Sequence, residues 1–103
     1  MFYILQNREV VPATLKEWVK WFHENHIQVN FSELPGNIRI STTFIGLSSY
    51  FGYFGRTVPL VFETMIYGGP YHLTRWCYCT YAQAEEGHKK AIELCFSNVF
   101  SKS

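Results

Sequence analysis

The alternation in the middle of this chain constrains its fold more than any other feature. Ile38, Ile40, Thr42 and Phe44 alternate with Arg39, Ser41, Thr43 and Ile45, and residues two apart on a strand share a face. Val58 to Tyr67 is a longer run of strand-forming residues. Tyr71 to Tyr81 sets Leu73, Arg75, Cys77 and Cys79 opposite His72, Thr74, Trp76 and Tyr78. Gly68-Gly69-Pro70 joins these last two runs in a tight connection. Upstream, Ile27, Val29 and Phe31 alternate as far as the turn Leu34-Pro35-Gly36-Asn37, and residues 2–5 with Val10 and Val11 predict a hairpin turning near Asn7.

Two helices interrupt the strands. Thr14-Leu15-Lys16-Glu17 is a capping box, in which the Thr hydroxyl and the Glu carboxylate each take a free backbone N–H at a helix start. Leu15, Trp18, Val19 and Phe22 then form one apolar stripe, Trp21 sits off it, and Asn25 and His26 end the helix. Thr80-Tyr81-Ala82-Gln83 offers a second capping box, after which Ala84, His88, Ala91, Ile92 and Cys95 trace one face and Lys89 and Lys90 lie outside it. Periodicity fades from Phe96, so residues 97–103 are expected to fray. The pattern is α+β: an antiparallel sheet of about four to five strands with both helices on one face. At 103 residues the chain is one domain, too short for a second core.

Composition removes several classes of function. Nine Lys and Arg stand against eight Glu and no Asp, a net charge of +1, without the basic excess that gripping a nucleic-acid backbone requires. The 48% hydrophobic content, with 9 Phe, 7 Tyr and 3 Trp, excludes a disordered chain. The N-terminus carries neither the charge of a signal peptide nor an apolar run long enough for a membrane span, which predicts a cytoplasmic protein. Cys77, Cys79 and Cys95 read as reduced thiols. Cys77-x-Cys79 with His72 and His88 is a poor metal set, lacking a second Cys pair at finger spacing. No metal and no cofactor are expected.

The candidate binding residues centre on Gly46 to Thr57, read as a connection between two strands. There Tyr50, Phe51, Tyr53 and Phe54 are interleaved with glycines beside Arg56. Such rings are either offered to a partner, as in Tyr-rich binding loops, or folded over the open face of the sheet in a long twisted hairpin. Trp76 and Tyr78, alternating away from Leu73, Cys77 and Cys79, are expected on the helix-free face, where a homodimer would cover them unless they pack under that loop. Two titratable groups stand out. Glu63 lies in the apolar run Val61 to Ile66, either exposed, paired with Arg39 or Arg75, or held as an acid or base. His88 falls on the apolar side of the second helix, either as a satisfied core histidine or as a catalytic one. No P-loop, nucleophile elbow or dinucleotide fingerprint occurs.

Phe44-Ile45-Gly46-Leu47, Phe62-Glu63-Thr64-Met65 with Gly68-Gly69, Thr80, and Ala84-Glu85-Glu86-Gly87-His88 together resemble small proteins of unassigned function from tailed bacteriophages and prophages. The resemblance spans roughly residues 38–92. Relatives often carry Asp-His where this chain has Ser48-Ser49, so no metal or acid–base role is carried over to that corner. The resemblance implies a setting, the cytoplasm of an infected bacterium. The expected function is binding and inhibition of a host or anti-phage defence protein through Tyr50, Phe51, Tyr53, Phe54, Arg56, Arg75, Trp76 and Tyr78. The alternative is a sponge for a nucleotide-derived immune signal, with a Tyr or Trp76 stacked on the base and Arg56 or Arg75 on the phosphate. A small enzyme using Glu63 and His88 ranks third.

Overall fold

The computed structural model describes the backbone of residues 1–53 and 56–101 and the side chains of residues 1–47 and 59–97. These residues form strands β1 (Phe2–Gln6), β2 (Glu9–Ala13), β3 (Gln28–Leu34), β4 (Ile38–Tyr53), β5 (Arg56–Tyr67) and β6 (Arg75–Tyr78). The helices are α1 (Leu15–Glu24) and α2 (Tyr81–Ser101). The class is α+β, and the antiparallel sheet has six strands. Its order is β2-β1-β4-β5-β6, with β3 also pairing β4.

Strand β4 reaches three partners because it is long and bent. Its first half pairs β3 and β5, its register with β5 shifts between Phe44 and Ser49, and Leu47 sits opposite Phe2 of β1. Gly46 takes φ +70° at that bend, a conformation that an L side chain adopts only under strain. The β1–β2 turn runs through Asn7 and Arg8, both at positive φ, the geometry that suits a two-residue hairpin. Of the two readings of Gly46 to Thr57, the backbone follows the long hairpin: the segment belongs largely to β4 and β5, which pair again from Ser49–Leu60 to Tyr53–Arg56. The side chains of Tyr50, Phe51, Tyr53, Phe54 and Arg56 lie outside the described residues.

Both helices cover the same face. Ile38, Ile40, Thr42 and Phe44 of β4 and Phe62, Thr64 and Ile66 of β5 are buried there, with Ile40, Thr42 and Phe44 directly opposite Ile66, Thr64 and Phe62 in the register. Ala84, His88, Ala91 and Cys95 of α2 close over them. Helix α1 brings aromatic rings instead: Trp21 and Phe22 both pack on Phe44, at 5.4 and 5.8 Å between ring centroids. This rotates α1 from the expected stripe. Trp21 is inside, while Leu15 and Val19 are more than half exposed, because the contact with Phe44 outweighs the local pattern.

Both capping boxes form. Thr14 and Glu17 exchange their hydrogen bonds at 2.9 and 3.2 Å, and the two bonds with Thr14 hold the Glu17 carboxyl below the usual range. Thr80 and Gln83 exchange theirs at 3.2 and 3.1 Å. The tail expected to fray from residue 97 is helical as far as Ser101.

Strand β6 is shorter than the run from Tyr71 to Tyr81 predicted, since residues 71–73 form a turn. Leu73 has φ +67°, and Leu73 and Thr74 both bond to Ile66, a bulge that inserts one residue. The register after it pairs Trp76 with Thr64 and Tyr78 with Phe62. Trp76 and Tyr78 therefore stand on the helix side. The open face carries Ser41, Thr43, Glu63, Met65, Arg75 and Cys77 instead, so the expected reason for a homodimer, two uncovered aromatics on that face, falls away.

Candidate functional site

A buried chain of hydroxyls runs under α2. Thr42 and Thr64 face each other across β4 and β5 with their Oγ1 atoms 2.6 Å apart. Thr42 Oγ1 also shares a 2.7 Å hydrogen bond with His88 Nδ1, and His88 Nε2 shares one of 2.9 Å with Ser32 Oγ on β3. Thr64 is in turn bonded to the Tyr78 phenol. His88, Thr42 and Thr64 are each 0% exposed. A neutral imidazole gives a proton at one nitrogen and takes one at the other, and each hydroxyl can do both, so the chain is satisfied in either direction. Burial holds His88 below the ordinary histidine pKa, which keeps it neutral and in register with its partners.

This arrangement ties β3, β4, β5 and β6 to one helix, and it leaves no nitrogen of His88 free for a substrate atom. Glu63 lies on the other side of the sheet. It pairs with Thr43 and Cys77 in the register and forms a 3.3 Å ion pair with Arg75 on the open face. The sheet thus separates Glu63 from His88, and the two cannot act on one reacting group. Arg75 and Trp76 are likewise on opposite faces of β6.

What the fold does assemble is a groove between β6 and the flank of α2, about 730 Å³ in volume. Trp76, Tyr78 and Leu60 form its floor and Leu94, Lys90 and Gly87 its wall. Gly87 shapes it. The Tyr78 ring lies against the bare helix backbone at that residue, where any Cβ would overlap the phenol. Burial pushes the Tyr78 phenol up in pKa, so it stays a neutral donor. Trp76 remains 36% exposed. The polar groups of the lining are few, Gln83, Glu86 and Lys90 on α2, and Gln83 is already engaged with the backbone of Cys79 and Thr80.

Sequence reasoning placed Trp76 and Tyr78 among the binding residues, but not Leu60 or Leu94, nor Lys90, which it set on the outer side of the helix, nor Gly87, which it read only as a point of close approach. Gly87 was the available signal, since a glycine inside a helix lets another group approach its backbone. A second hollow of about 780 Å³ lies on the other flank of the α2 N-terminus, beneath the β1–β2 hairpin, where Arg8 stacks 4.9 Å over the Tyr81 ring. Cys79 borders both hollows. Burial raises the pKa of the Cys77, Cys79 and Cys95 thiols, which makes them poor nucleophiles at neutral pH. Among the described residues no group of three or more His, Cys, Asp or Glu could hold a metal ion, and no helix is long and apolar enough to cross a membrane. No family model matches the chain, and neither curated proteins nor solved structures give a match.

Proposed function

We propose that this chain is a phage-encoded accessory protein that binds a bacterial host or defence protein, and that the groove between β6 and α2 is its binding surface. The observation that carries this reading is the half-open apolar floor of Trp76, Tyr78 and Leu60, held against a helix by Gly87. Aromatic groups in a concave, mostly apolar site are the usual anchors of protein interfaces. The Phe-Glu-Thr-Met and Ala-x-x-Gly-His elements that carry the resemblance to phage proteins flank this groove, in β5 and α2. They supply the setting.

A second reading, sequestration of a nucleotide-derived signal, draws support from the groove volume, which falls within the range of small-molecule sites. In that case Trp76 would stack on the base and Lys90, rather than Arg75, would meet the phosphate.

Native mass spectrometry of the chain after incubation with lysate from infected bacteria separates these outcomes. A protein-sized adduct that is lost with Trp76→Lys is the expected result. An adduct of a few hundred daltons, lost with the same substitution and with Lys90→Glu, would establish the second reading. Adducts indifferent to Trp76→Lys, or none, would overturn the groove assignment.

A further inference from the structure

The edge beside this groove specifies the form of its partner. Antiparallel ladders alternate between residue pairs that exchange hydrogen bonds and pairs that do not. Ile66 N–H donates to Thr74 O at 3.0 Å and Leu73 N–H donates to Ile66 O at 2.7 Å, so the next bonded pairs along the register are Thr64–Trp76 and Phe62–Tyr78. The N–H and C=O groups of Arg75 and Cys77 consequently point away from β5, on the side where β6 has no neighbouring strand among the described residues. The edge ends where Cys79 N–H donates to Gln83 Oε1 at 3.0 Å.

Two features thus lie side by side: a row of outward backbone groups, and an apolar groove floored by the intervening side chains, Trp76 and Tyr78. We propose that an extended segment of a foreign protein adds to β6 as a further strand and places alternate apolar side chains in the groove. The proposal rests on the groove being the binding surface and names the partner's conformation. A strand laid on β6 answers the N–H and C=O of Arg75 and Cys77, which repeat at about 6.6 Å, twice the rise per residue. Its residues opposite Trp76 and Tyr78 then face the groove of their own accord, because directly paired residues share a face.

A bound helix has no backbone groups to offer the edge, since its own are paired internally. A second copy of this chain could pair β6 with β6, but it would bring its own open groove alongside rather than side chains to fill the first. Strand β6 is only 4 residues long and follows the Leu73–Thr74 bulge, which confines any added strand to a short stretch, but the other usual guards are absent. It contains no Pro or Lys, and its one charged side chain, Arg75, is turned to the open face and paired with Glu63.

The test is to pan a library of random peptides, about ten residues long to cover a strand, on the immobilised full chain and to measure the best binders by fluorescence anisotropy. Apolar residues at every second position are expected. Affinity should fall at least about tenfold when the peptide backbone is N-methylated at the positions facing β6, the loss of one or more hydrogen bonds. It should fall similarly with Cys77→Pro, which removes an outward N–H without touching the β5–β6 ladder. Thermal melting checks that this variant folds; if it does not, the N-methylated peptides on the unaltered chain decide alone. Binders with helical apolar spacing, or indifferent to N-methylation, would overturn strand addition while leaving the groove reading intact. Binders unaffected by Trp76→Lys, or no enrichment over an unrelated immobilised protein, would overturn both. Self-association abolished by Cys77→Pro would give the edge to a second copy and overturn the foreign partner.

Discussion

The Tyr78 phenol rests on Gly87, and the space it occupies is the space a Cβ at residue 87 would need. A glycine inside a helix ordinarily costs about 1 kcal/mol relative to alanine. Here that cost permits a contact that joins the edge strand to the helix and forms the groove floor. Gly87→Ala should therefore destabilise the chain by about 1–3 kcal/mol, the range for overpacking, despite its better helix propensity. In a Tyr78→Ala background the same substitution should stabilise. Urea unfolding of the four species in this cycle checks the reversal of sign, and Gly87→Ala that stabilises in both backgrounds would show that the phenol does not depend on this gap.

His88 makes stability depend on pH in a defined window. Its pKa is lowered in the folded state by burial, whereas an unfolded histidine titrates near 6.5. Between those two values the unfolded chain binds a proton that the folded chain refuses. The stabilisation is thus complete above about pH 6.5 and is lost as pH falls toward the folded value, at about 1.4 kcal/mol per pH unit for one proton. Urea midpoints between pH 8 and 5.5 measure it, with His88→Gln expected to flatten the profile in that range. A slope unchanged in His88→Gln would assign the effect to other groups.

Thr42 is the branching member of the buried chain, bonded to both Thr64 and His88. Thr42→Val keeps the shape and leaves two buried groups short of a partner, each costing about 1–3 kcal/mol. Thr42→Ser retains the hydroxyl and should cost less, only the methyl's burial of about 1 kcal/mol. Thermal melts of the two variants give the comparison. Equal losses would mean that the methyl group matters and the hydrogen bonds do not.

Helix α2 was legible in the sequence because its cap and its small buried residues obey one period: Thr80 and Gln83 cap, and Ala84, His88, Ala91 and Cys95 face the sheet. Helix α1 was less so. Five apolar residues crowd positions 15 to 22 over nearly half of its circumference, and the choice of Trp21 over Leu15 and Val19 is made by Phe44, which is remote in sequence. Strand β6 shows a different limit. A period of two tells which residues travel together but not which side they face, and the side was set by the Leu73–Thr74 bulge and the register with β5. The buried chain had a faint signal, since Thr42 and Thr64 are polar residues at positions where the alternation calls for apolar ones. Its closure through Ser32 and His88 depends on three elements meeting. The groove needed the same information, because Gly87 and Tyr78 meet only once α2 folds back over the sheet.

Gly46 fixes the bend at which β4 leaves β5 and meets β1. Its φ is +70°, and a Cβ there would lie 2.6 Å from the Tyr3 carbonyl oxygen, 2.6 Å from Trp18 Nε1 and 2.7 Å from the Phe22 ring. Two costs add in Gly46→Ala: about 1–2 kcal/mol for the left-handed backbone and about 1–3 kcal/mol for the overlap. The Tyr3 oxygen belongs to the backbone of β1, so the clash cannot be relieved by a rotamer change and has to push β1 or α1 away. Trp18 reports the movement. Its indole N–H is buried without a hydrogen-bond partner among the described residues, so displacement of α1 should wet it and shift its emission to the red. Gly46→Ala is expected to lower the thermal midpoint and to shift the tryptophan emission before unfolding begins, whereas Gly36→Ala, strained at φ +86° but with open space around it, should lower the midpoint less and leave the emission unchanged. Matching losses in the two variants, with no spectral shift, would reduce the role of Gly46 to backbone conformation alone.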